Sequence, residues 1–296
     1  MRRFALTVLA AVLIVPAAFA RHTGFNVNIS TDDFEEITRC DQIRITIGDE
    51  PAVRAEEQVD GSSLRSLKVV SDRNGGVRVT GWDGPGYSIT ACKAAANASA
   101  LATVHAKLSG NELTATNTDD SYGIVYFLVR APRGAVLDLY ASNGEVSVHH
   151  VEGNITATTE NGPVSIKASS GTINARAQNG PISFGGASSG TVKLSAQNGP
   201  ISVKLDGTTF NGSLDASTSN GPLSVKVPRG YRSGVVVESD GHSPFACRAE
   251  ACDQVRSMKS GDDDNDFFPR RVEFGSGPTV VHLSSHNGPV SVKNSD

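Results

Sequence analysis

The chain has 296 residues, with 27 Lys and Arg against 31 Asp and Glu and a formal net charge of −4. This acidic balance argues against a general nucleic-acid-binding protein, whose usual signature is a basic patch and a high isoelectric point. We therefore expect no nucleic-acid partner.

The first 20 residues have the pattern of a cleavable secretory signal. Arg2 and Arg3 precede a 12-residue apolar run, and small residues follow it up to Ala20. The run is shorter than the about 20 residues that a transmembrane helix needs, so we expect no transmembrane segment. The sequence predicts a signal peptide over residues 1–20 and an exported chain that is periplasmic, secreted or located at the cell surface.

Residues 21–63 lack the repeat that follows them. We expect this segment to cap the open end of a stack of strands, because an uncovered strand edge invites aggregation.

An internal repeat occupies residues 64–230 and returns in residues 277–296. Its marker is Asn-Gly, which is followed by Pro in five of six cases, and the first four intervals are 18, 18, 19 and 22 residues. The marker asparagines are Asn143, Asn161, Asn179, Asn198, Asn220 and Asn287.

Apolar residues lie at constant distances from each marker asparagine. Around Asn179 they are Ile173 and Ala175 upstream and Ile182 and Phe184 downstream, at offsets −6, −4, +3 and +5. Each pair is separated by one polar or small residue, so one side of a short strand faces a core and the other faces solvent. The pattern therefore predicts two short strands in each repeat unit.

Asn-Gly between alternating apolar residues is also typical of a β-hairpin, so an antiparallel meander is the alternative. In a two-residue hairpin the residue after Gly donates the N–H that closes the turn, and proline has no N–H. At the corner of a solenoid the proline begins a strand, which is a tolerated position. The sequence therefore predicts an all-β fold, a β-solenoid or parallel β-helix-like stack of short two-strand coils.

We assign the marker asparagines a structural role at the corners. Asn tolerates left-handed backbone, Gly adopts it without steric cost, and stacked amides can bond to one another along the stack. Asn74-Gly75 with Val77 and Val79 obeys the downstream half of the rule, although Lys68 breaks the upstream half. A second corner is marked by Gly153, Gly171, Gly190 and Gly212.

The register is lost over residues 231–276. This stretch contains Cys247, Cys252 and the acidic run Asp262–Asp266. We interpret it as an insertion on one face, clipped by its own disulfide, before the final coil of residues 277–296.

Four cysteines suit an oxidising compartment, and an even number permits two disulfides. Cys247 and Cys252 are five residues apart in a loop-like stretch, so we expect them to pair, which leaves Cys40 with Cys92. A zinc site is the alternative, but metal-type CxxC spacing is absent and only His242 lies nearby.

The Asn-Gly-Pro-x-Ser-x units, together with the stretch from Asn74 to Asp83, resemble the bacterial putative-adhesin β-strand-repeat family, a domain family of unknown function. The resemblance covers most of the chain after about residue 65. It implies a β-solenoid-like fold in an exported envelope protein, and it supplies no catalytic residues.

The acidic run is the best candidate for a metal site. Asp262, Asp264 and Asp266 alternate, and Glu273 lies where the twelfth ligand of a calcium loop would be, but Phe267 replaces the glycine that the loop needs. A solvated acidic loop explains the run as well. We expect neither a metal nor another cofactor.

No residues combine into a recognisable catalytic group. His149 and His150 leave a predicted strand on opposite sides, and His282 faces outward, so surface histidines are the simpler interpretation. A carbohydrate-active enzyme would need paired carboxylates, but Asp215 stands alone beside Asn174 and Lys193. We therefore predict that the chain is not an enzyme.

A row of lysines is the most distinctive outward feature, and stacked coils would align it with a row of serines. The lysines are Lys167, Lys204, Lys226 and Lys293, with a break at Gly185, and the serines are Ser165, Ser183, Ser202, Ser224 and Ser291. The row could bind an anionic glycan or a phosphate-bearing envelope polymer. Alternatively it keeps an edge soluble and blocks strand addition.

The predicted function is accordingly an adhesin-like envelope module that presents a rigid polar face to a glycan, polymer or protein. A structural or assembly role in the envelope is the alternative, and a carbohydrate-active enzyme is the third.

Overall fold

A computed structural model describes residues 27–31, 37–48, 50–116, 123–240, 243–253 and 271–295. In these residues the chain is almost entirely β, with one short helix, α1 (Ala98–Leu101), and two 3-10 turns, Cys40–Gln42 and Glu250–Cys252. The predicted all-β class is confirmed. The predicted signal peptide, His242 and the acidic run Asp262–Asp266 lie outside the described residues.

The strands fall into three groups along the chain. Before the repeat they are β1 (Val27–Thr31), β2 (Ile43–Ile47), β3 (Glu50–Pro51), β4 (Val53–Gly61), β5 (Ser66–Trp82), β6 (Tyr87–Ala95), β7 (His105–Ser109), β8 (Glu112–Thr116) and β9 (Ile124–Pro132). Within the repeat they are β10 (Val136–Asn143), β11 (Val146–His149), β12 (Glu152–Thr159), β13 (Val164–Lys167), β14 (Ser170–Ala177), β15 (Ile182–Gly185), β16 (Ser189–Ala196), β17 (Ile201–Lys204), β18 (Asn211–Thr218) and β19 (Leu223–Val227). After it they are β20 (Gly234–Ser239), β21 (Phe245–Cys247), β22 (Arg271–Phe274), β23 (Thr279–Ser285) and β24 (Val290–Asn294).

Equivalent strands of successive repeats pair in parallel. The strands before each Asn-Gly pair in the order β5, β10, β12, β14, β16, β18, and we name them the upstream sheet. The strands after each Asn-Gly pair in the order β5, β11, β13, β15, β17, β19, and we name them the downstream sheet. Partners are one repeat apart, as in Ile155 with Ile173, whereas a meander would pair neighbours antiparallel.

The apolar residues that define the repeat face the interior between the two sheets. All residues at offsets −6, −4, +3 and +5 from the six marker asparagines are buried, and Ile166 and Ile182 are fully so. One continuous core therefore runs along the repeat. Burying each Val, Ile or Leu side chain stabilises the fold by about 1.5–3 kcal/mol.

The Asn-Gly corners do not have the expected left-handed backbone. None of the six marker asparagines, nor the glycine after any of them, has a positive φ. Glycine is needed there for close approach instead, because a Cβ on Gly180 would overlap the carbonyl oxygen of Gly162 in the neighbouring coil. Left-handed backbone occurs where downstream strands end, at His150 (φ 58°), Ala168 (φ 47°) and Gly186 (φ 74°).

A β-bulge explains why the first unit breaks the upstream rule. The register between β5 and β10 shifts between Ala141 and Asn143, and Arg73 in this stretch of β5 has a φ of 62°. One extra residue therefore separates the two halves of β5. Leu67 and Val69 face the core in the positions that the rule assigns one residue later.

The segment 231–276 is not an insertion on one face, as the loss of register suggested. β20 pairs in parallel with β23, and β21 pairs in parallel with β24, so both strands extend the two sheets. β23 and β24 also pair with β18 and β19. The last coil in the chain therefore lies between the coil of β18 and β19 and the coil of β20 and β21. The segment lacks the Asn-Gly marker, which is why the sequence pattern missed it.

The segment before the repeat, residues 21–63, contributes one strand to the end of the downstream sheet and a small separate sheet that packs beside it. β4 lies at the end of the downstream sheet, antiparallel to β6, and β6 pairs antiparallel with β9, which runs parallel to β5. A small antiparallel sheet of β1, β2 and β3 packs its isoleucines, including Ile43 and Ile45, against Tyr126 and Cys92. Only β4 therefore fits the expected end cap of residues 21–63.

Both expected disulfides are present. Cys40–Cys92 joins the turn before β2 to β6, and Cys247–Cys252 joins β21 to the 3-10 turn that follows it.

Candidate functional site

The outward face of the downstream sheet carries the lysine row. Lys204 pairs with Lys226, and Lys226 pairs with Lys293, on successive parallel strands. His149, Lys167 and Gly185 continue the same row on β11, β13 and β15. Neighbouring strands are about 4.8 Å apart, so the six strands from β11 to β24 span about 24 Å. All four lysines are exposed.

A second row of outward residues supplies hydroxyl groups beside the lysines. Its members pair in register and are Ser147, Ser165, Ser183, Ser202, Ser224 and Ser291. Ser147 is buried and Ser183 is exposed, whereas the others are half-buried. The face therefore carries a row of hydroxyls beside a row of lysines on β13, β17, β19 and β24, and β15 contributes only the hydroxyl of Ser183.

The lysines do not lie on an edge, so the interpretation that they block strand addition is wrong. β13, β17 and β19 each pair on both sides, and β24 lies between β19 and β21.

The lysines of the row also lie close to one another, and like charges on directly opposite residues repel one another. Lys204 Nζ lies 3.7 Å from Asp206 Oδ1, but Lys167, Lys226 and Lys293 form no ion pair with any described residue. Three of the four lysines are thus uncompensated by any described carboxylate, and two of these, Lys226 and Lys293, lie on neighbouring strands.

The row is interrupted at Gly185 by a depression of about 460 Å³. Its lining includes Lys167, Lys204 and Lys226, together with Ser183 and Ser202. The missing side chain of a single residue thus gives the cationic face its concave part.

Side chains cover the N-terminal end of this face. The Arg78 guanidinium donates to Glu145 at 2.9 Å, and the Tyr126 hydroxyl donates to the same carboxylate at 2.8 Å. Arg78 is only 7% exposed. Burial and the Glu145 charge raise the pKa of Tyr126, which stays protonated.

His149 is buried, contrary to the expected surface position. It is 4% exposed, and burial, with Arg78 and Lys167 as nearby cations, lowers its pKa to about 4. The ring is therefore neutral at neutral pH. Its Nε2 lies 3.1 Å from the hydroxyl of Ser147, but Ser147 is fully buried and offers no nucleophile to a substrate. His150 is exposed, on the left-handed turn.

The downstream face continues beyond the lysine row onto β5 and β9. Thr80 pairs with His149 on one side and with Arg130 on the other. The guanidinium of Arg130 lies 4.1 Å from the centre of the Trp82 ring, a cation–π contact, beside a cavity of about 310 Å³. Sequence reasoning missed this group, because Trp82 and Arg130 lie far apart in the chain.

The marker asparagines form a ladder of side-chain hydrogen bonds at one corner. Asn143 accepts at the first step, and the Nδ2 of each later asparagine, through Asn287, donates to the Oδ1 of the asparagine before it at 2.9–3.1 Å. These amides bind one another and link successive coils at this corner.

Several charged side chains on the upstream face form ion pairs. His282 lies 2.8 Å from Glu238 and 3.8 Å from Asp215, and Arg271 bonds both Glu238 and Glu273. Asp215 therefore does not stand alone, because β23 lies between β18 and β20. The sequence pattern could not show this, since Glu238 lies in the segment without the marker.

No cluster of three or more His, Cys, Asp or Glu side chains that could hold a metal ion occurs among the described residues. In the same residues, no helix is long and apolar enough to cross a membrane.

Comparison with known proteins identifies no family. No family model matches the chain, and no curated protein matches it either. The crystal structure of a putative cell adhesion protein from Clostridium sporogenes ATCC 15579 matches 82% of this chain and 100% of its own, with a TM-score of 0.29 and 6% identity. A putative adhesin from Bacteroides fragilis NCTC 9343 matches 82% and 97%, with a TM-score of 0.38 and 11% identity. These values carry no argument about function, and the family resemblance stays a prediction.

Proposed function

We propose that the protein is a non-catalytic, exported, adhesin-like envelope module whose downstream face binds a linear anionic glycan or polymer. In this proposal the repeat is a β-solenoid, and its stacked coils hold the lysine side chains at a fixed spacing. The carrying observation is the alignment of Lys167, Lys204, Lys226 and Lys293 in one outward row, three of them without an ion-pair partner in the described residues.

The spacing of the row supports a polymer as the partner. Lys204, Lys226 and Lys293 repeat at about 4.8 Å on strands held by backbone hydrogen bonds. A small molecule is usually held in a concave, mostly apolar site. An extended, open face with repeated cations instead suits a chain with repeated anionic groups.

The distribution of charge supports selectivity. The whole protein has a formal charge of −4, so its general field repels polyanions. The lysine row opposes this field locally. A polyanion would therefore bind along the row and not over the remaining surface.

Two disulfides support export, because such bonds persist in oxidising compartments. The signal-like pattern of residues 1–20 supports the same location.

The test compares two variants with equal loss of charge. The row variant replaces Lys167, Lys204, Lys226 and Lys293 with Ser. The matched control replaces four cations on the strands of the upstream sheet and its neighbours, namely Lys68, Lys107, Arg176 and Lys193, with Ser. Binding to dextran sulfate, polygalacturonate and neutral dextran is measured by calorimetry at several salt concentrations.

We expect the wild-type chain to bind at least one polyanion with strong salt dependence and to ignore neutral dextran. The row variant should lose at least about tenfold in affinity, whereas the control should lose less than about threefold. Equal losses in both variants would reduce the interaction to net charge and refute the proposal. Retained binding of the row variant to an exported protein in place of a polymer would favour the scaffold role.

A further inference from the structure

Gly185 occupies a position of the row where the neighbouring strands have lysine. The stacking of the strands does not require glycine at this position. The equivalent positions on the neighbouring strands are Lys167 and Lys204. Gly185 does not have a positive φ, so its backbone suits any residue. A Cβ there would lie 3.1 Å from the Cβ of Lys204, a contact that a shift of a few tenths of an ångström relieves.

The next residue shows what a structurally required glycine looks like in this coil. Gly186 has a φ of 74°, and a Cβ there would lie 3.0 Å from the backbone nitrogen of Ala168. The left-handed backbone therefore explains Gly186, whereas the backbone conformation at position 185 does not require glycine. The effect of Gly185 is instead to open the depression.

The depression combines three kinds of chemistry. Lys167, Lys204 and Lys226 line it as cationic residues, and Ser183 and Ser202 line it as hydroxyl-bearing residues. Ala168, Gly185 and Gly186 supply small lining. Its volume of about 460 Å³ lies in the range of small-molecule sites, about 300–1,000 Å³, and exceeds what one bare anion occupies.

We propose that this depression is a subsite for one acidic pyranose unit, a sugar ring bearing a carboxylate or a sulfate. The ring lies over Gly185, its hydroxyls meet Ser183 and Ser202, and its anionic group meets the flanking lysines. This inference rests on the proposed function, because the unit belongs to a polymer that lies along the row. It adds selectivity for acidic sugars over anions without a ring.

The test uses a substitution that adds positive charge. Gly185→Lys completes the lysine row and fills the depression, and Thr156→Lys adds the same charge on the exposed upstream face. Trigalacturonate and sulfated maltotriose are the acidic-sugar probes, and they separate carboxylate from sulfate. Tripolyphosphate is an anion without a ring, and maltotriose is a sugar without charge.

We expect the wild-type chain to prefer at least one acidic trisaccharide to tripolyphosphate and to maltotriose. Gly185→Lys should weaken that trisaccharide by at least about tenfold despite its extra charge, and it should leave tripolyphosphate unchanged or tighter. Thr156→Lys should change trisaccharide binding by less than about twofold. Electrostatics without a shaped site predicts the opposite result, tighter binding of every anion to Gly185→Lys.

A second variant guards against misfolding. Ser183→Gln extends a side chain over the depression from a position that already has a Cβ, and we expect the same loss from it. The subsite is overturned if both filled variants bind acidic trisaccharides as well as wild type, or if wild type binds none at about 1 mM. If dextran sulfate still depends on the four lysines in that case, the subsite has failed and the proposed function stands. If it does not, both have failed.

Discussion

The two outward faces of the repeat are built from the same coils but treat charge differently. On the upstream face, Lys68 bonds Glu112, and His282 and Arg271 bond Glu238. On the downstream face, Lys226 and Lys293 lie side by side with no carboxylate partner among the described residues. Both faces alternate polar and apolar residues equally well, so solubility alone does not explain the difference. A face that tolerates repulsion between its own cations is the one suited to an anionic partner.

Within the lysine row itself, the exposed part and the covered part also differ in charge. Lys167 is exposed, whereas His149 on the neighbouring strand is buried and neutral at neutral pH. Charge is therefore kept to the open part of the row.

The largest expected effect comes from breaking the corner on which both faces depend. In Gly180→Ala the new Cβ meets the carbonyl oxygen of Gly162, and backbone on both sides must move. We expect a loss of about 4 kcal/mol or more in the free energy of unfolding, measured by denaturant titration. Gly134→Ala is the control, because a Cβ there meets nothing within 4 Å, and its change should stay within about 0.5 kcal/mol. Similar values for both variants would mean that the coils do not stack so closely.

The next effect is the pH dependence that His149 introduces. Its pKa is about 4 in the folded chain against 6.5 for the free side chain, so the unfolded chain binds more protons between these values. Stability should therefore fall as the pH is lowered from about 6.5 to about 4, by as much as about 3 kcal/mol. His149→Gln should flatten this part of the curve. Urea titrations of both proteins from pH 7 to pH 4 measure the difference, and parallel curves would show that His149 is solvated.

A smaller effect is expected for the asparagine ladder. Asn179→Ala removes the hydrogen bonds to Asn161 and Asn198, and because these amides are exposed, water replaces part of the loss. We expect a cost of about 1 kcal/mol in the free energy of unfolding. Asn154→Ala, at an exposed position outside the ladder, should cost less than about 0.5 kcal/mol. If Asn154→Ala lowers the free energy of unfolding more than Asn179→Ala does, the asparagine ladder does not stabilise the fold.

Local patterns predicted the interior of the repeat and its lysine row, because strand alternation and a fixed interval determine which side chains share a face. Ile166, Ile182 and Val203 are buried as the offsets predict. The disulfide between Cys247 and Cys252 also followed from a short separation. These features depend on residues close together in the chain or one repeat apart.

Features that depend on distant segments could not be read in this way. The position of β23 and β24 between earlier coils reverses the order of the chain, and it brings Glu238 to His282. The burial of Arg78 and Tyr126 depends on contacts with Glu145 and with the small N-terminal sheet. The depression was visible only as a missing lysine, because its lining comes from five strands, β11, β13, β15, β17 and β19, and from the residues that follow them.

The smallest expected effect compares the two faces most directly, because one charge removal should raise the free energy of unfolding and the other should lower it. Lys226→Gln removes a cation that lies between two others, Lys204 and Lys293, so it should raise the free energy of unfolding by roughly 0.2–0.5 kcal/mol at low salt. Glu238→Gln removes the partner of His282 and Arg271 and should lower it, by up to about 1 kcal/mol. Added salt should reduce both changes, since it screens repulsion and attraction alike. Thermal and denaturant unfolding at low and high salt measure both, and a loss of stability in Lys226→Gln would mean that this lysine already has a partner within the chain, which would remove the reason for an anionic ligand.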